Sequence, residues 1–354
     1  MKSLRWSLRI KAQVQTLALA WCTAGLLTGG AAHAQTHATG AEAEAARASQ
    51  CPPKAPSLNA QRIEALARQS RDRGLLWRID YQGKSSWLYG TVHVGKPEWL
   101  FPGPSIASAL QASDSLMLEL DVTDPATVNT LQQGMLAQPQ AAALPAPLAR
   151  RLQKSMAQAC AQNELQPLRT EAQVITLQLL AGRSHGLFSE FGADAALAAL
   201  AKSMKLPISA LETAEDQLKL LTVDDPAELQ ESVDSALTQL EDHSAAQTLV
   251  TAAKAWEQGD SATLENYAKW CNCVNTALDR KALTALLDDR NPGMADGIAA
   301  QLRAGRSVFA AVGALHLVGA KGLPALLRQQ GFEVQAVPLN PAAKKSMPNQ
   351  PENP

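Results

Sequence analysis

Aromatic side chains are scarce here: Trp, Tyr and Phe make up 4% of 354 residues, while 46% of the chain is hydrophobic. Any core must therefore be built from Leu, Ala and Val, a composition that suits helices packed on a sheet and argues against a β-sandwich. Basic clusters interleaved with aromatics are missing too, so no nucleic acid is expected as a partner. Charge of one sign does not dominate, with 32 Lys and Arg against 33 Asp and Glu, and nothing points to an anionic membrane surface. Histidines and cysteines are few, six and five.

The N-terminus carries the marks of export. Lys2, Arg5, Arg9 and Lys11 form a basic start, Val14 to Leu27 is largely apolar, and Ala32-His33-Ala34 is a small-x-small cleavage site. The apolar run is too short, and too interrupted by Gly29 and Gly30, for a membrane span, which needs roughly 20 apolar residues. Residues 1–34 read as a signal peptide cleaved near Ala34, giving a periplasmic or secreted protein with no membrane span in the mature chain. Removing four basic and no acidic residues leaves 28 basic against 33 acidic, a net charge of −5.

Cys22 leaves with the signal, so four cysteines reach an oxidising compartment: Cys51, Cys160, Cys271 and Cys273. An even count there favours structural disulfides. Closing Cys271 on Cys273 makes a very tight ring, so each is expected to reach a distant partner, Cys51 or Cys160. A Cys-x-Cys metal or redox site is the functional alternative.

Residues 35–60, rich in Ala, Thr, Gln and Pro, read as a flexible leader, and the proline-punctuated residues 339–354 as a disordered tail. The folded domain is expected over 61–338. Leu75 to Tyr81 and Ser86 to Val94 look like strands around a Gln82-Gly83-Lys84 turn. A helix over Ser105 to Gln111 leads to an apolar strand over Ser115 to Asp121 that ends in two carboxylates. From Pro125 to about Asp289 the pattern is helical, interrupted by a strand over Pro207 to Leu211. Helix, strand, helix and strand then alternate to Val337. The expected fold is α/β, a mixed sheet built from N- and C-terminal segments with a large helical insertion between them.

The chemistry concentrates in two echoing motifs, Gly90-Thr91-Val92-His93 and Gly313-Ala314-Leu315-His316, each at the end of a strand. Glycine lets the chain turn there, and a histidine three residues on can enter the crevice at the strand ends of an open sheet. Two imidazoles and a carboxylate suit a divalent transition metal, which lowers the pKa of its water and makes a nucleophile at neutral pH. Glu119 or Asp121, alternating at the end of another strand, supplies the carboxylate. Either histidine, taken alone, equally suits a satisfied buried group or a surface turn. Arg290-Asn291 either caps the helix after Pro292, or Arg290 stabilises developing negative charge. Thr213 has the place of an N-cap, and His185, between Gly182 and Gly186, is a reserve ligand.

With these motifs stand Glu119-Leu120-Asp121, Gly192-Ala193-Asp194, Leu211-Glu212-Thr213 with Gln217, Arg290-Asn291, and Gly322-Leu323. In this order and at these separations the chain resembles the TraB/GumN family, also called TraB/PrgY/GumN, from about Leu75 to Val337. That family is similar to the Tiki metalloproteases, which share the paired Gly-x-x-His motifs and cleave Wnt proteins, and to the erythromycin esterase and ChaN-like folds. The resemblance implies an exported metal-dependent hydrolase, with a peptidase as one form. Its metal ligands would be His93, His316 and Glu119, its ion Mn, Co or Zn, and its catalytic residues Glu119, Arg290 and Asn291, acting on a peptide or small molecule. The alternative is a non-catalytic periplasmic binding or scaffold protein that holds haem, a peptide or a polysaccharide precursor. Leu315 and Phe101-Pro102 depart from the family pattern beside the site, where they bear on pocket shape.

Overall fold

A computed structural model describes residues 51–139, 141 and 143–339. The expected signal peptide, most of the expected leader and nearly all of the expected tail lie outside the described residues. Within the leader, residues 51–59 form neither helix nor strand. Ala55 and Leu58 nevertheless pack against the core, and Cys51 is bonded to Cys160.

Six strands form one mixed sheet: β1 (Leu76–Tyr81), β2 (Lys84–Thr91), β3 (Ser115–Leu118), β4 (Ile208–Ala210), β5 (Val308–Gly313) and β6 (Glu333–Val337), in the order β4-β3-β5-β2-β1-β6. The hairpin turn is two residues, Gln82-Gly83, both at positive φ, which matches the right-handed twist of the strands it joins. β1 pairs antiparallel with β2 and β6. β2, β5, β3 and β4 run parallel. The C-terminal strand β5 thus sits at the centre, between two N-terminal strands. Its Val308, Phe309, Ala310, Ala311 and Val312 are all buried, the apolar run expected of a parallel strand covered on both faces.

The expected segments are present with shifted ends. The strand expected over 115–121 stops at Leu118, and the one expected over 86–94 stops at Thr91. Glu119 and His93 therefore lie beyond their strands, and the alternation that would put Glu119 and Asp121 on one face does not apply. The helix expected from Ala295 begins at Asn291. Between β3 and β5 the insertion is helical apart from β4. Leu152, Met156, Leu165, Leu177, Leu229, Val233 and Leu237 close a second apolar cluster within it. Ala193–Met204, with Leu197, Ala198 and Ala201 buried, packs on the main core instead. Its small side chains allow close seating on the sheet.

The cysteines pair differently from expectation: Cys51 with Cys160, and Cys271 with Cys273. Asn272 takes the left-handed conformation, φ 51°, which asparagine tolerates. The chain so turned sets the two Cα atoms 5.1 Å apart, within bridging range. Among the described residues, no helix is long and apolar enough to cross a membrane.

Candidate functional site at the carboxyl ends of the parallel strands

Register brings the two histidine motifs together. Gly90 pairs with Val312 and Thr91 with Gly313 on adjacent parallel strands, so both motifs leave the sheet at the same edge, one residue out of step. β3 flanks β5 on its other side, with Leu118 opposite Ala311, and delivers Glu119 to that edge. β4 follows, and the Glu212 N–H donates to the Glu119 carbonyl at 3.0 Å. Four strands thus present His93, His316, Glu119 and Glu212 in one row, at the strand ends where open parallel sheets bind ligands.

The motif glycines work through size rather than through unusual dihedrals. A Cβ on Gly90 would lie 3.0 Å from the Ala314 Cα, and one on Gly313 would lie 3.3 Å from Glu119 Oε1. Neither has a positive φ. The sharp turn expected of these glycines is replaced by close approach of one motif to the other and to the carboxylate.

His316 is buried at 3% exposure beside Asn291 at 2%. Asn291 Nδ2 donates to the Lys321 carbonyl at 2.9 Å, which turns its Oδ1 toward His316 Nδ1 at 2.7 Å. The imidazole must then donate through Nδ1, leaving a lone pair on Nε2. Burial, the largest influence, holds its pKa down near 4, so the ring is neutral at physiological pH. His93 contrasts with it: 64% of its side chain is exposed, and Nδ1 meets Asp194 Oδ2 at 3.0 Å. The Asp194 carboxylate raises its pKa to about 9.

Arg290 ties the acidic side of the site together. Its Nε donates to Glu212 Oε1 at 2.8 Å and its Nη2 reaches both Glu119 and Glu212. Nη1 donates to the Leu286 carbonyl at 2.9 Å and stands 3.3 Å from His316 Nε2. Glu119 also accepts the Gly313 N–H at 2.6 Å and faces His316 Nε2 at 3.9 Å. Burial works to raise the Glu119 pKa, but His316, His93, Arg290 and the Gly313 N–H outweigh it and pull it to about 2. Glu119 is therefore ionised, and its partner Arg290 is held firmly protonated against its own burial by Glu212 and Glu119.

Of the expected residues, His316, Glu119, Arg290 and Asn291 are joined by direct contacts, and His93 stands at the same sheet edge with Asp194 as its partner. Asp121 is not among them: its Oδ1 accepts from the Thr123 N–H and hydroxyl. His185 is exposed in a short turn over Arg183–His185. Arg290 makes no side-chain cap, while Thr213 does cap Ala214–Leu221. Three participants had no role assigned from sequence: Asp194, Glu212, and Gln217, whose Nε2 donates to Glu212 at 3.2 Å and lies 3.4 Å from Glu119. Their signal was positional, since Glu212 follows a strand directly and Asp194 opens a helix after Gly192.

The donor chemistry fits a divalent transition metal. Both imidazoles have Nδ1 held by an oxygen acceptor, as metal-ligating histidines usually do, and Glu119 is ionised; His93, protonated below about 9 in the metal-free protein, must release its Nε2 proton to bind an ion. Among the described residues no group of three His, Cys, Asp or Glu side chains is already gathered for an ion. The Arg290 guanidinium lies against His316 Nε2, so an ion there competes with it.

No curated protein and no solved structure matches the chain. The model of the TraB/PrgY/gumN family matches residues 75–336, a span that runs from the start of β1 almost to the end of β6 and holds every site residue described above; the chain belongs to the TraB/PrgY/gumN family.

Proposed function

We propose that this protein is an exported metal-dependent hydrolase acting on a peptide or small-molecule substrate in the crevice at the strand ends. The observation that carries the reading is the convergence of His93, His316 and Glu119 from three adjacent strands, with each imidazole oriented through Nδ1. These three would hold Mn, Co or Zn, and the ion would supply a nucleophilic water at neutral pH.

The chain's own groups divide the remaining work. Asn291 fixes the tautomer and direction of the buried His316 ring, and Asp194 holds the direction of the His93 ring at the solvent side. Arg290, steadied by Glu212, places a permanent positive charge beside the carboxylate, where negative charge on a substrate oxygen would develop. Gln217 braces the two glutamates. The exposure of His93 and the burial of His316 give the crevice an open side and a closed side, so substrate enters past His93.

Elemental analysis of chelator-free protein, followed by turnover of a peptide library, tests the reading. About one equivalent of metal, lost with turnover in His93→Ala and His316→Ala, is the expected result. Retained turnover in the double alanine variant overturns it. A haemin titration addresses the binding-protein alternative. Tyr89, 4% exposed and bonded to the Arg73 carbonyl, offers haem no free phenol, and no Soret shift is expected.

A further inference from the structure

The Cys271–Cys273 bond takes no part in the crevice chemistry, and the ordinary roles of paired cysteines do not account for it. As a staple it closes a loop with one residue between its ends, so it takes little freedom from the unfolded chain, unlike Cys51–Cys160, whose partners are 109 positions apart. As a metal centre it lacks ligands: among the described residues no third His, Cys, Asp or Glu side chain gathers with the pair, and structural zinc takes four.

The backbone around the bond is held without it. The Cys271 N–H donates to the Tyr267 carbonyl at 3.0 Å, and the Thr248 hydroxyl, from the helix Ser244–Gln258, donates to the Cys271 carbonyl at 2.6 Å. On the far side Asn275 Nδ2 donates to the Asn272 carbonyl at 3.1 Å, and the Asn275 and Thr276 N–H groups both donate to Asp279 Oδ2 at 2.8 Å. A loop anchored in this way on both sides keeps the two sulfurs together when their bond opens, ready to close again. The sulfurs are unequal. Cys271 is 1% exposed, whereas Cys273 is partly exposed and follows an exposed Asn272. Cys271 Sγ accepts the Cys273 N–H at 3.1 Å, a donor suited to a thiolate. The Tyr267 hydroxyl stands 3.5 Å from Cys273 Sγ, and burial raises its pKa, so it stays a proton donor.

We propose that Cys271–Cys273 is a thiol–disulfide exchange site, with Cys273 as the entry sulfur and Cys271 as the resolving one. A thiolate attacks Cys273 Sγ and forms a mixed disulfide; the Cys271–Cys273 bond breaks, and its electron pair leaves on Cys271 Sγ, beside the Cys273 N–H. A second thiolate attacks the outer sulfur of the mixed disulfide and releases Cys273. The cysteine pair gains two electrons and the two protons of the thiols, which are oxidised to one disulfide. Run backward, the same steps let the dithiol reduce a disulfide. The co-reactant is a thiol, either a small one such as glutathione or the dithiol of a protein. The proposal stands independently of the hydrolase reading.

Trapping with N-ethylmaleimide and peptide mass spectrometry tests it, after the purified protein has been incubated with reduced glutathione or with reduced thioredoxin. Label is expected on Cys271 and Cys273 while Cys51–Cys160 stays bonded and the circular dichroism is unchanged. Labelling with glutathione identifies a small thiol as a sufficient co-reactant; labelling with thioredoxin alone identifies a protein dithiol. A pair that resists both, or that opens only together with Cys51–Cys160, overturns the proposal. Oxidised glutathione reads the order of attack: Cys273 in Cys271→Ser should take up glutathione about tenfold faster, or more, than Cys271 in Cys273→Ser. Equal rates overturn the assignment of Cys273 as the entry sulfur. Because the first measurement uses the parent protein, it decides the proposal even where a variant fails to fold.

Discussion

Replacing Arg290 with methionine tests the electrostatic frame of the site. The substitution keeps a flexible apolar stem but removes the one cation between Glu119 and Glu212, whose side chains are 14% and 12% exposed. Two neighbouring carboxylates then face each other without the cation between them, keeping only the Gly313 and Gln217 N–H donors, and breaking a buried pair in this way costs about 3–5 kcal/mol. For a domain of about 280 residues, with an unfolding entropy of about 0.6 kcal/mol/K, the loss corresponds to a fall in Tm of roughly 5–8 °C. The pH dependence reverses as well. In the parent protein Glu119 is pulled to about 2, below its usual value, so its contribution is present above that usual value and fades as the pH falls toward 2. In Arg290→Met the unpaired carboxylates are pushed above their usual value, so stability rises as the pH falls through that raised range. Thermal melts of metal-free protein from about pH 2 to 8 measure both effects, and Glu212→Gln added to Arg290→Met should recover part of the loss. An Arg290→Met variant as stable as the parent, with an unchanged pH profile, would refute the reasoning.

Asn291→Ala strips the His316 Nδ1–H and the Lys321 carbonyl of their buried partner, so roughly 2–4 kcal/mol of stability is expected to go and metal affinity to fall 10–100-fold, about what second-sphere losses cost; denaturant melts and metal titration check both. Asp194→Asn should return the His93 titration in metal-free protein from about 9 toward its ordinary 6.5, as followed by NMR of the ring protons; because a raised histidine pKa stabilises below the unfolded value and is lost as the pH climbs through 9, the variant should differ most from the parent under mildly acidic conditions. Removing the Cys51–Cys160 bond, whose partners are 109 positions apart, should cost about 5 kcal/mol on chain-entropy grounds, against about 2 for Cys271–Cys273. Chemical denaturation of the two double-alanine variants compares them, and the reverse order would contradict the pairing.

Much of the sheet could be read from the chain because its parallel strands are apolar runs that stop at polar residues. What could not be read was how far each strand runs. Ser115 to Asp121 looks continuous, yet the ladder ends at Leu118, because beyond it the Glu119 side chain is drawn to the Gly313 N–H and Arg290, and Asp121 folds back on Thr123. The order of strands was equally hidden: nothing local to Val308–Gly313 says that it inserts between β2 and β3. That insertion is what turns two remote motifs into neighbours. Asp194 and Glu212 were visible as motif members, but their work depends on pairing across a helix and a sheet. Ring size alone argues against joining Cys271 to Cys273, but the left-handed turn that Asn272 permits brings them together.

Pulsed electron paramagnetic resonance of Mn(II)-loaded protein probes the convergence of the two motifs most directly, since it detects the nitrogens bound to a single ion. Two distinct imidazole couplings are predicted for the parent, one of which disappears in His93→Ala and the other in His316→Ala. A spectrum with no histidine nitrogen, or one unaltered by either substitution, would contradict the shared centre.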